Sequence, residues 1–138
     1  MPAQPPVLRV DLSSPTPAYR QIIDGLRAML VAGAFEVGDQ LPTVRQLAMD
    51  LGVHHNTVAE AYRQLEEEGW LELARKRGAI VCDRKRPTPG RDETQSFARR
   101  VRELAAQAIS SGISPEMVAA GLIGAAREIT SRTKGGPS

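Results

Sequence analysis

Four consecutive polar side chains stand at the start of a helix-like stretch: His54, His55, Asn56 and Thr57. Asparagine pairs bidentately with adenine, and threonine bonds a base edge or contacts a thymine methyl group. A run of this kind at the N-terminus of a helix therefore has the chemistry needed to read base pairs in the major groove of DNA.

A basic segment follows the same stretch. From Arg75 to Arg91 the chain has seven Lys or Arg residues and a single acid, Asp83, whereas the formal net charge of all 138 residues is only +2. A local concentration of positive charge neutralises phosphates even when the whole chain is nearly neutral. On charge alone, a solvated and flexible linker explains the segment equally well.

Other chemistry has less support. His54 and His55 are adjacent, so on a helix their rings point about 100° apart and chelate a metal poorly. Cys82, the only cysteine, is either a redox sensor, with its thiol pKa lowered by Arg84 and Lys85, or a small buried hydrophobe, which we favour. The sequence contains no Ser/His/Asp order, phosphate loop or carboxylate pair in a plausible frame. We therefore expect no enzymatic activity, no cofactor and no metal.

The polar run needs a folded unit to position it, and the spacing of apolar residues predicts three helices. The first runs from about Thr16 to Ala32, with Thr16 as its cap and Pro17 in the first helical position. Residues 34–42 are predicted to form a connection.

A second, short helix opens at Thr43, where Thr43 and Gln46 can form a capping box. It ends at Gly52, and a third helix follows Val53 and reaches about Glu68. The short connection between these two helices is the spacing of a helix-turn-helix.

Two short runs after the third helix predict a hairpin. They are Trp70–Ala74 and Ala79–Asp83, joined by the sequence RKRG with Gly78 as the turn residue. We expect the tryptophan to pack at the base of this hairpin and the three glutamates 66–68 to form a solvated helix end that faces away from DNA.

The order of these elements predicts an α+β fold that is mainly α. Residues 16–83 are predicted to form a winged helix-turn-helix of three helices plus a β-hairpin wing. Three short helices bury little apolar surface by themselves, so the hairpin is expected to pack against them. Residues 1–15 form an N-terminal arm or a short edge strand. The third helix would enter the major groove, and the basic wing tip would reach the backbone or a minor groove.

The remainder of the chain is predicted to pair two copies of the protein. A linker at 84–91 leads to a two-helix segment at 92–132, with helices at about 92–111 and 115–132, and a disordered tail at 133–138. Its two apolar stripes are Phe97, Val101, Leu104, Ala108, Val118, Leu122, Ala125 and Ile129. Because Ala-rich helices bury little by themselves, we favour two-fold pairing over an intrachain core.

The stretch from Pro17 to Val81 resembles the DNA-binding domain of GntR-type bacterial regulators. The matching segments are PAYRQI at 17–22, the pattern G-x-F-x-x-G-x-x-L-P at 33–42, TVRQLA at 43–48, LGV at 51–53, NTVAEAYRQLEEEGWL at 56–71 and RGAIV at 77–81. The short two-helix C-terminal part resembles the YtrA-type branch, which lacks the large effector domain and uses a small helical segment to pair two chains. Only about 50 residues follow the wing, so the branch fused to an aminotransferase-like domain is not expected.

The resemblance implies DNA contacts at particular positions. Arg45 matches the family arginine at the start of the second helix, Asn56 and Thr57 match polar contact positions of the recognition helix, and Gly78 matches a wing-tip glycine. The complete set of expected DNA-binding residues is Thr43, Arg45, His54, His55, Asn56, Thr57, Arg63, Arg75, Lys76, Arg77 and Gly78.

The sequence also departs from the family pattern. His55, Ala59, Lys76 and Ala79 replace residues common in the family, which leaves the operator sequence undetermined. His54 replaces the usual Ser or Asn cap of the recognition helix, and the lost cap is expected to cost about 1 kcal/mol of helix stability.

The expected function is that of a transcription regulator, a repressor that binds a double-stranded DNA operator as a homodimer and responds to an unidentified small-molecule effector through the linker. The cytosol is expected, since no apolar run approaches the ~18–20 residues of a membrane span and no secretory signal is visible. The alternative is an architectural or partner-binding winged module without strong sequence preference. The regulated genes are not determined by the sequence.

Overall fold

The computed structural model describes residues 8–74, 78–84 and 87–135, with side chains up to residue 131. It divides into two compact units, residues 1–85 and 86–138. The first unit contains α1 (Ala18–Ala32), β1 (Gln40–Leu41), α2 (Val44–Leu51), α3 (His55–Glu67), β2 (Leu71–Ala74) and β3 (Gly78–Val81); the second contains α4 (Arg91–Ser110) and α5 (Pro115–Gly135). The predicted mainly helical fold with a β-hairpin wing is confirmed.

One core holds the first unit together. It takes apolar side chains from every element of the unit: Ile22, Ile23, Leu26, Leu30, Leu41, Leu47, Ala48, Val58, Ala61, Tyr62, Leu65, Leu71, Ala79 and Val81. The α1 and α3 members recur every three to four residues, so each helix turns one face inward. As a result, the other face of α3 is left free for contacts with a partner.

The sheet has one strand more than the sequence predicted. Its order is β1-β3-β2, and β1 pairs antiparallel with β3 through Gln40 opposite Ile80 and Leu41 opposite Ala79. Residues 34–42 are therefore more than a connection, and that part of the prediction was wrong. A two-residue strand is too short to show alternation; it forms because Leu41 is buried and Val81 N–H donates to the Asp39 carbonyl at 2.9 Å.

The helix boundaries agree with the sequence at most ends, with one correction. Gly52 closes α2 in the left-handed conformation (φ 71°), as its position indicated. At α1, however, Pro17 rather than Thr16 is the N-cap residue, and no side chain caps the helix. Thr16 instead offers its carbonyl to Gln21 Nε2 at 2.8 Å, because the Gln21 amide folds back over the N-terminal arm.

The N-terminal arm is held by the same glutamine. Gln21 accepts from Asp11 N–H at 2.8 Å and donates to the Asp11 carbonyl at 2.9 Å. Leu8 and Val10 pack against the core. Residues 8–15 contain no strand, so within the described chain this segment is an arm and not an edge strand.

The second unit is a pair of helices. Ser114 accepts from Met117 N–H at 3.2 Å, and Pro115 is the first residue of α5, as the Ser-Pro pair indicated. Among residues 87–131 no side chain is buried. The unit therefore leaves the apolar side chains of both helices at its surface.

Candidate nucleic-acid interface

The helix-turn-helix is fixed by a short turn and a shared core. After Gly52, Val53 N–H donates to the Ala48 carbonyl at 3.0 Å, which closes the turn against the end of α2. Val58 and Tyr62 in α3 are completely buried. Burial of these two side chains sets the rotation of α3 about its own axis, and so decides which side chains it presents outward.

The predicted reading residues lie on the outward side of this arrangement. His54, His55 and Asn56 are exposed at the start of α3, and Thr57 is half-buried. Arg63 is exposed two turns further along the helix. An exposed polar run at a helix N-terminus is the geometry with which helix-turn-helix proteins reach base edges.

His54 is a helix cap, contrary to the expectation from the sequence. Its backbone is extended, and its Nδ1 accepts a hydrogen bond from Asn56 N–H at 3.1 Å. The imidazole thus replaces the hydroxyl or amide oxygen that usually does this, and the expected loss of about 1 kcal/mol was wrong for that reason. Because Nδ1 accepts, the proton of neutral His54 lies on Nε2, which is a hydrogen-bond donor.

The two histidines form a stacked pair. Their ring centroids are 4.3 Å apart with an interplanar angle of 28°. Within the described residues no group of three or more His, Cys, Asp or Glu side chains is arranged to hold a metal ion. The stacked rings therefore place hydrogen-bonding nitrogen atoms on a flat surface at the N-terminal end of α3.

A groove joins the start of α2 to the wing. It has a volume of about 470 Å³ and is lined by Thr43, Val44, Arg45, Tyr62, Leu73, Ala74 and Gly78. The structure thus brings three of the expected contact residues, Thr43, Arg45 and Gly78, to one concave surface. Thr43 and Arg45 are exposed there, and Thr43 Oγ1 accepts from Gln46 N–H at 3.1 Å.

The start of α2 is held by the core as well as by its cap. Tyr62 Oη donates to the Pro42 carbonyl at 2.7 Å, immediately before the Thr43 cap. Burial raises the pKa of Tyr62, so this hydroxyl remains a donor. Only the Thr43 half of the predicted capping box is formed, and the Gln46 side chain is turned along the helix, where its Nε2 donates to Asp50 Oδ1 at 2.9 Å.

The structure describes both strands of the wing but not the three residues at its tip. Gly78 opens β3 with φ +71°, and a Cβ at this position would lie 3.0 Å from the Leu41 carbonyl oxygen. Glycine is therefore required where β1, β2 and β3 converge. Arg75, Lys76 and Arg77 lie outside the described residues.

The end of α3 is only partly the solvated surface expected for residues 66–68: Glu66 and Glu67 are exposed, but Glu68 is half-buried, and two of the three carboxylates are bound within the unit. Glu68 accepts two hydrogen bonds from Arg27 of α1, Nε to Oε1 at 3.0 Å and Nη2 to Oε2 at 2.6 Å. These bonds lower the pKa of Glu68, and raise that of Arg27. Glu66 accepts from Leu73 N–H of β2 at 2.8 Å.

Sequence reasoning missed Arg84, which was assigned to the linker. Its Nε donates to the Glu68 carbonyl at 2.7 Å, and its guanidinium lies 4.7 Å from the centre of the Trp70 ring. No sequence pattern signals this contact, because 16 residues and a hairpin separate Arg84 from Glu68.

The surroundings of Cys82 favour the small, half-buried hydrophobe over the redox sensor. Burial raises the pKa of its thiol, and the charges of Glu72 and Glu66 add to that rise. The lowering considered for Arg84 was wrong, since the Arg84 guanidinium faces Trp70. A thiol with a raised pKa is a poor nucleophile.

In the second unit the expected pairing residues are largely exposed. Phe97 is 69% exposed, Leu104 62%, Leu122 40% and Ile129 47%. Val101, Ala108 and Val118 are half-buried, and Ala125 is exposed. Along α4 the large side chains border a shallow groove of about 450 Å³, lined by Phe97, Arg100, Val101, Glu103, Leu104 and Gln107.

No helix among the described residues is both long and apolar enough to span a membrane.

Known proteins resemble this chain in sequence over both units. The model of the family "Bacterial regulatory proteins, gntR family" matches residues 18–81. The chain is 31% identical over 130 residues to the HTH-type transcriptional repressor YtrA of Bacillus subtilis (strain 168), an alignment covering 94% of this chain and 97% of that protein.

Two solved structures share the fold. YtrA from Sulfolobus acidocaldarius, a GntR-family transcription factor, superposes with a TM-score of 0.56 at 33% identity, covering 71% of this chain and 99% of that one. A GntR family transcriptional regulator from Listeria monocytogenes superposes with a TM-score of 0.54 at 28% identity, covering 80% and 96%.

Proposed function

This chain belongs to the GntR family of bacterial DNA-binding transcription regulators, and from that premise we propose that it represses transcription as a homodimer bound to an inverted-repeat operator. Each winged unit would occupy one half-site, with α3 in the major groove. Where the operator overlaps a promoter, the bound dimer would exclude RNA polymerase.

The observation that carries the proposal is the division of α3 into two faces. Val58 and Tyr62 are completely buried, while His54 to Asn56 are exposed at the helix start. The four residues at the start of the helix are proposed to meet base edges: His54 through its Nε2 donor, His55, Asn56 and Thr57. Arg45 is proposed to contact DNA beside them. Thr43, Arg63 and the wing residues 75–78 are proposed to contact the backbone or an adjacent groove.

Pairing is assigned to the second unit. Large apolar side chains such as Phe97 and Leu104 are well exposed on α4, and Leu122 and Ile129 on α5. Apolar surface of this kind, alternating with charge on a helix pair, is typical of an association face. A second copy of the chain is the natural partner, because two-fold pairing matches an inverted repeat and is the commonest symmetry of oligomers.

Regulation by a small molecule is proposed to act through the connection between the two units. An effector would act on the spacing or order of the two winged units through residues 84–91, and no effector is identified by chemistry. Because the target is chromosomal DNA, we infer the bacterial cytosol as the place of action.

The test is selection of bound duplexes from a random library, followed by competition binding at fixed salt. The selected sequence should be an inverted repeat that also occurs in the chain's own promoter region, and it should be bound at least ~10³-fold more tightly than random DNA. Equal affinity for random DNA would instead indicate an architectural module. Light scattering at micromolar concentration should give twice the chain mass, and a stable monomer would refute the homodimer.

A further inference from the structure

The end of the recognition helix and the beginning of the linker are joined by a compact cluster of side chains. Glu68 follows the last residue of α3 and is bound by Arg27 of α1 through two hydrogen bonds. Its carbonyl oxygen accepts from Arg84 Nε at 2.7 Å, and the Arg84 guanidinium lies over Trp70 at 4.7 Å. The indole nitrogen of Trp70 is buried, and its N–H contributes to the lowered pKa of Glu68.

Each contact has a physical reason to persist. The carbonyl groups at a helix C-terminus lack intrahelical partners and carry partial negative charge, so a guanidinium donor is favoured there. Stacking of the same guanidinium on an indole adds a cation–π attraction. Gly69 (φ +88°) turns the chain between the helix and β2, with the Arg84 side chain packed beside it.

We propose that Arg84 is a positioning residue that holds the start of the linker against the end of the recognition helix. It thereby restricts the spacing between half-sites that the dimer accepts, an inference that rests on the proposed homodimer function. Arg84 touches no DNA in this role. It sets where the connection to the second unit begins, and so how far that connection reaches.

Covalent geometry gives the size of the effect. From Arg84 to Arg91, where α4 begins, there are seven Cα–Cα steps, which span at most about 25 Å. With Arg84 released, the last backbone tie is Cys82 N–H to the Trp70 carbonyl at 2.9 Å, which leaves nine steps and about 32 Å. Two protomers would together gain about 14 Å, which corresponds to about 4 base pairs of duplex.

The test compares binding of wild type, Arg84→Ala and Arg84→Lys to two kinds of duplex made from the selected sequence. One kind contains a single half-site, and the other contains both half-sites with the spacing changed in steps of one base pair. Arg91→Ala is the matched control, since it removes the same charge from the far end of the linker.

For Arg84→Ala we expect the Kd for the single half-site to stay within about twofold of the wild-type value. The ratio between the Kd at the worst spacing and the Kd at the best spacing should fall by about tenfold. Arg84→Lys should behave in the same way, because a lysine retains the charge but has neither the planar donor nor the stacking surface. Arg91→Ala should keep the wild-type spacing profile.

The single tryptophan provides an independent readout. Trp70 is the only tryptophan of the chain, so its emission should shift to longer wavelength in both Arg84 variants as water replaces the guanidinium, and should be unchanged in Arg91→Ala. Circular dichroism and the unfolding temperature establish whether each variant is folded. If Arg84→Ala does not fold, Arg84→Lys provides the test in its place.

Three results would overturn the inference. If Arg84→Ala weakens the single half-site and Arg84→Lys restores it, Arg84 is a phosphate contact. If the wild-type spacing profile survives in both variants, Arg84 has no positioning role, and the proposed homodimer function stands. If wild type itself has no spacing preference, the inverted-repeat function fails and this inference fails with it.

Discussion

The imidazole Nδ1 of His54 accepts a hydrogen bond from the backbone N–H of Asn56 at 3.1 Å. One side chain therefore stabilises the start of the recognition helix and stands beside the residues expected to read DNA. Ser, Thr, Asn and Asp provide this acceptor in most helices. The use of an imidazole combines the cap with a ring that stacks on His55.

Replacing this cap should separate its effect on stability from its effect on DNA binding. His54→Ala removes the acceptor and should lower the free energy of unfolding by about 1 kcal/mol in urea denaturation. His54→Ser keeps an acceptor and should retain wild-type stability, while its operator affinity falls because the Nε2 donor is lost. If His54→Ala were as stable as wild type, the hydrogen bond would contribute nothing to the fold.

Arg45 provides the most direct test of the DNA contact face. Arg45→Ala removes an exposed guanidinium at the start of α2 and should weaken operator binding by about 10- to 100-fold at fixed salt. The exposed Arg102→Ala on α4 is the control for the loss of one positive charge, and should bind as wild type does. Equal affinities of the two variants, measured by fluorescence anisotropy, would remove Arg45 from the interface.

Gly78 should tolerate no side chain. Gly78→Ala must hold alanine at φ +71° with its Cβ 3.0 Å from the Leu41 carbonyl oxygen, which should destabilise the winged unit by about 1–3 kcal/mol. Gly90→Ala is the control, because its backbone is extended with negative φ and a Cβ there meets no atom within 4 Å. Urea midpoints shifted equally in the two variants would contradict the steric explanation.

The Glu68–Arg27 pair predicts a defined pH dependence. Arg27 lowers the pKa of Glu68 below its ordinary value of 4.5, so the folded state favours the ionised carboxylate. Its contribution is present in full above about pH 4.5 and is lost as pH falls through the lowered pKa. Glu68→Gln should therefore cost about 1–2 kcal/mol at neutral pH, and the difference from wild type should shrink in acid.

The neighbouring exposed Glu67 provides the control for that measurement. Glu67→Gln removes the same formal charge and should change the unfolding midpoint little at any pH. A stability difference between wild type and Glu68→Gln that stayed constant down to strongly acidic pH would show that the ion pair is not its source.

Pairing through the second unit should fail when a charge is placed on its apolar face. Leu104→Glu puts a carboxylate where Leu104 is 62% exposed and should halve the mass found by light scattering, because burial of an unpaired charge is unfavourable. Ala106→Glu adds the same group about 200° around the helix and should remain dimeric. A dimer that survives Leu104→Glu would place the interface elsewhere.

Local signals in the sequence predicted the helices of the winged unit and its hairpin well. The apolar period of α1 and α3 matches their buried faces, and Gly52 ends α2 with the left-handed conformation that its position indicated. The short strand β1 was missed because two residues have no period. Residue by residue, the contacts with DNA remain predictions, since they depend on a partner.

The sequence by itself determined the features that rest on neighbouring residues: helical period, the Thr43 cap, the turn at Gly52 and the strands at the wing. Only the tertiary structure decided which polar groups are structural. Glu68 joins Arg27 across 41 positions, and Arg84 joins Glu68 across 16. Such pairs form because the core brings α1, α3 and the end of the wing together, and no local preference of either residue encodes that meeting.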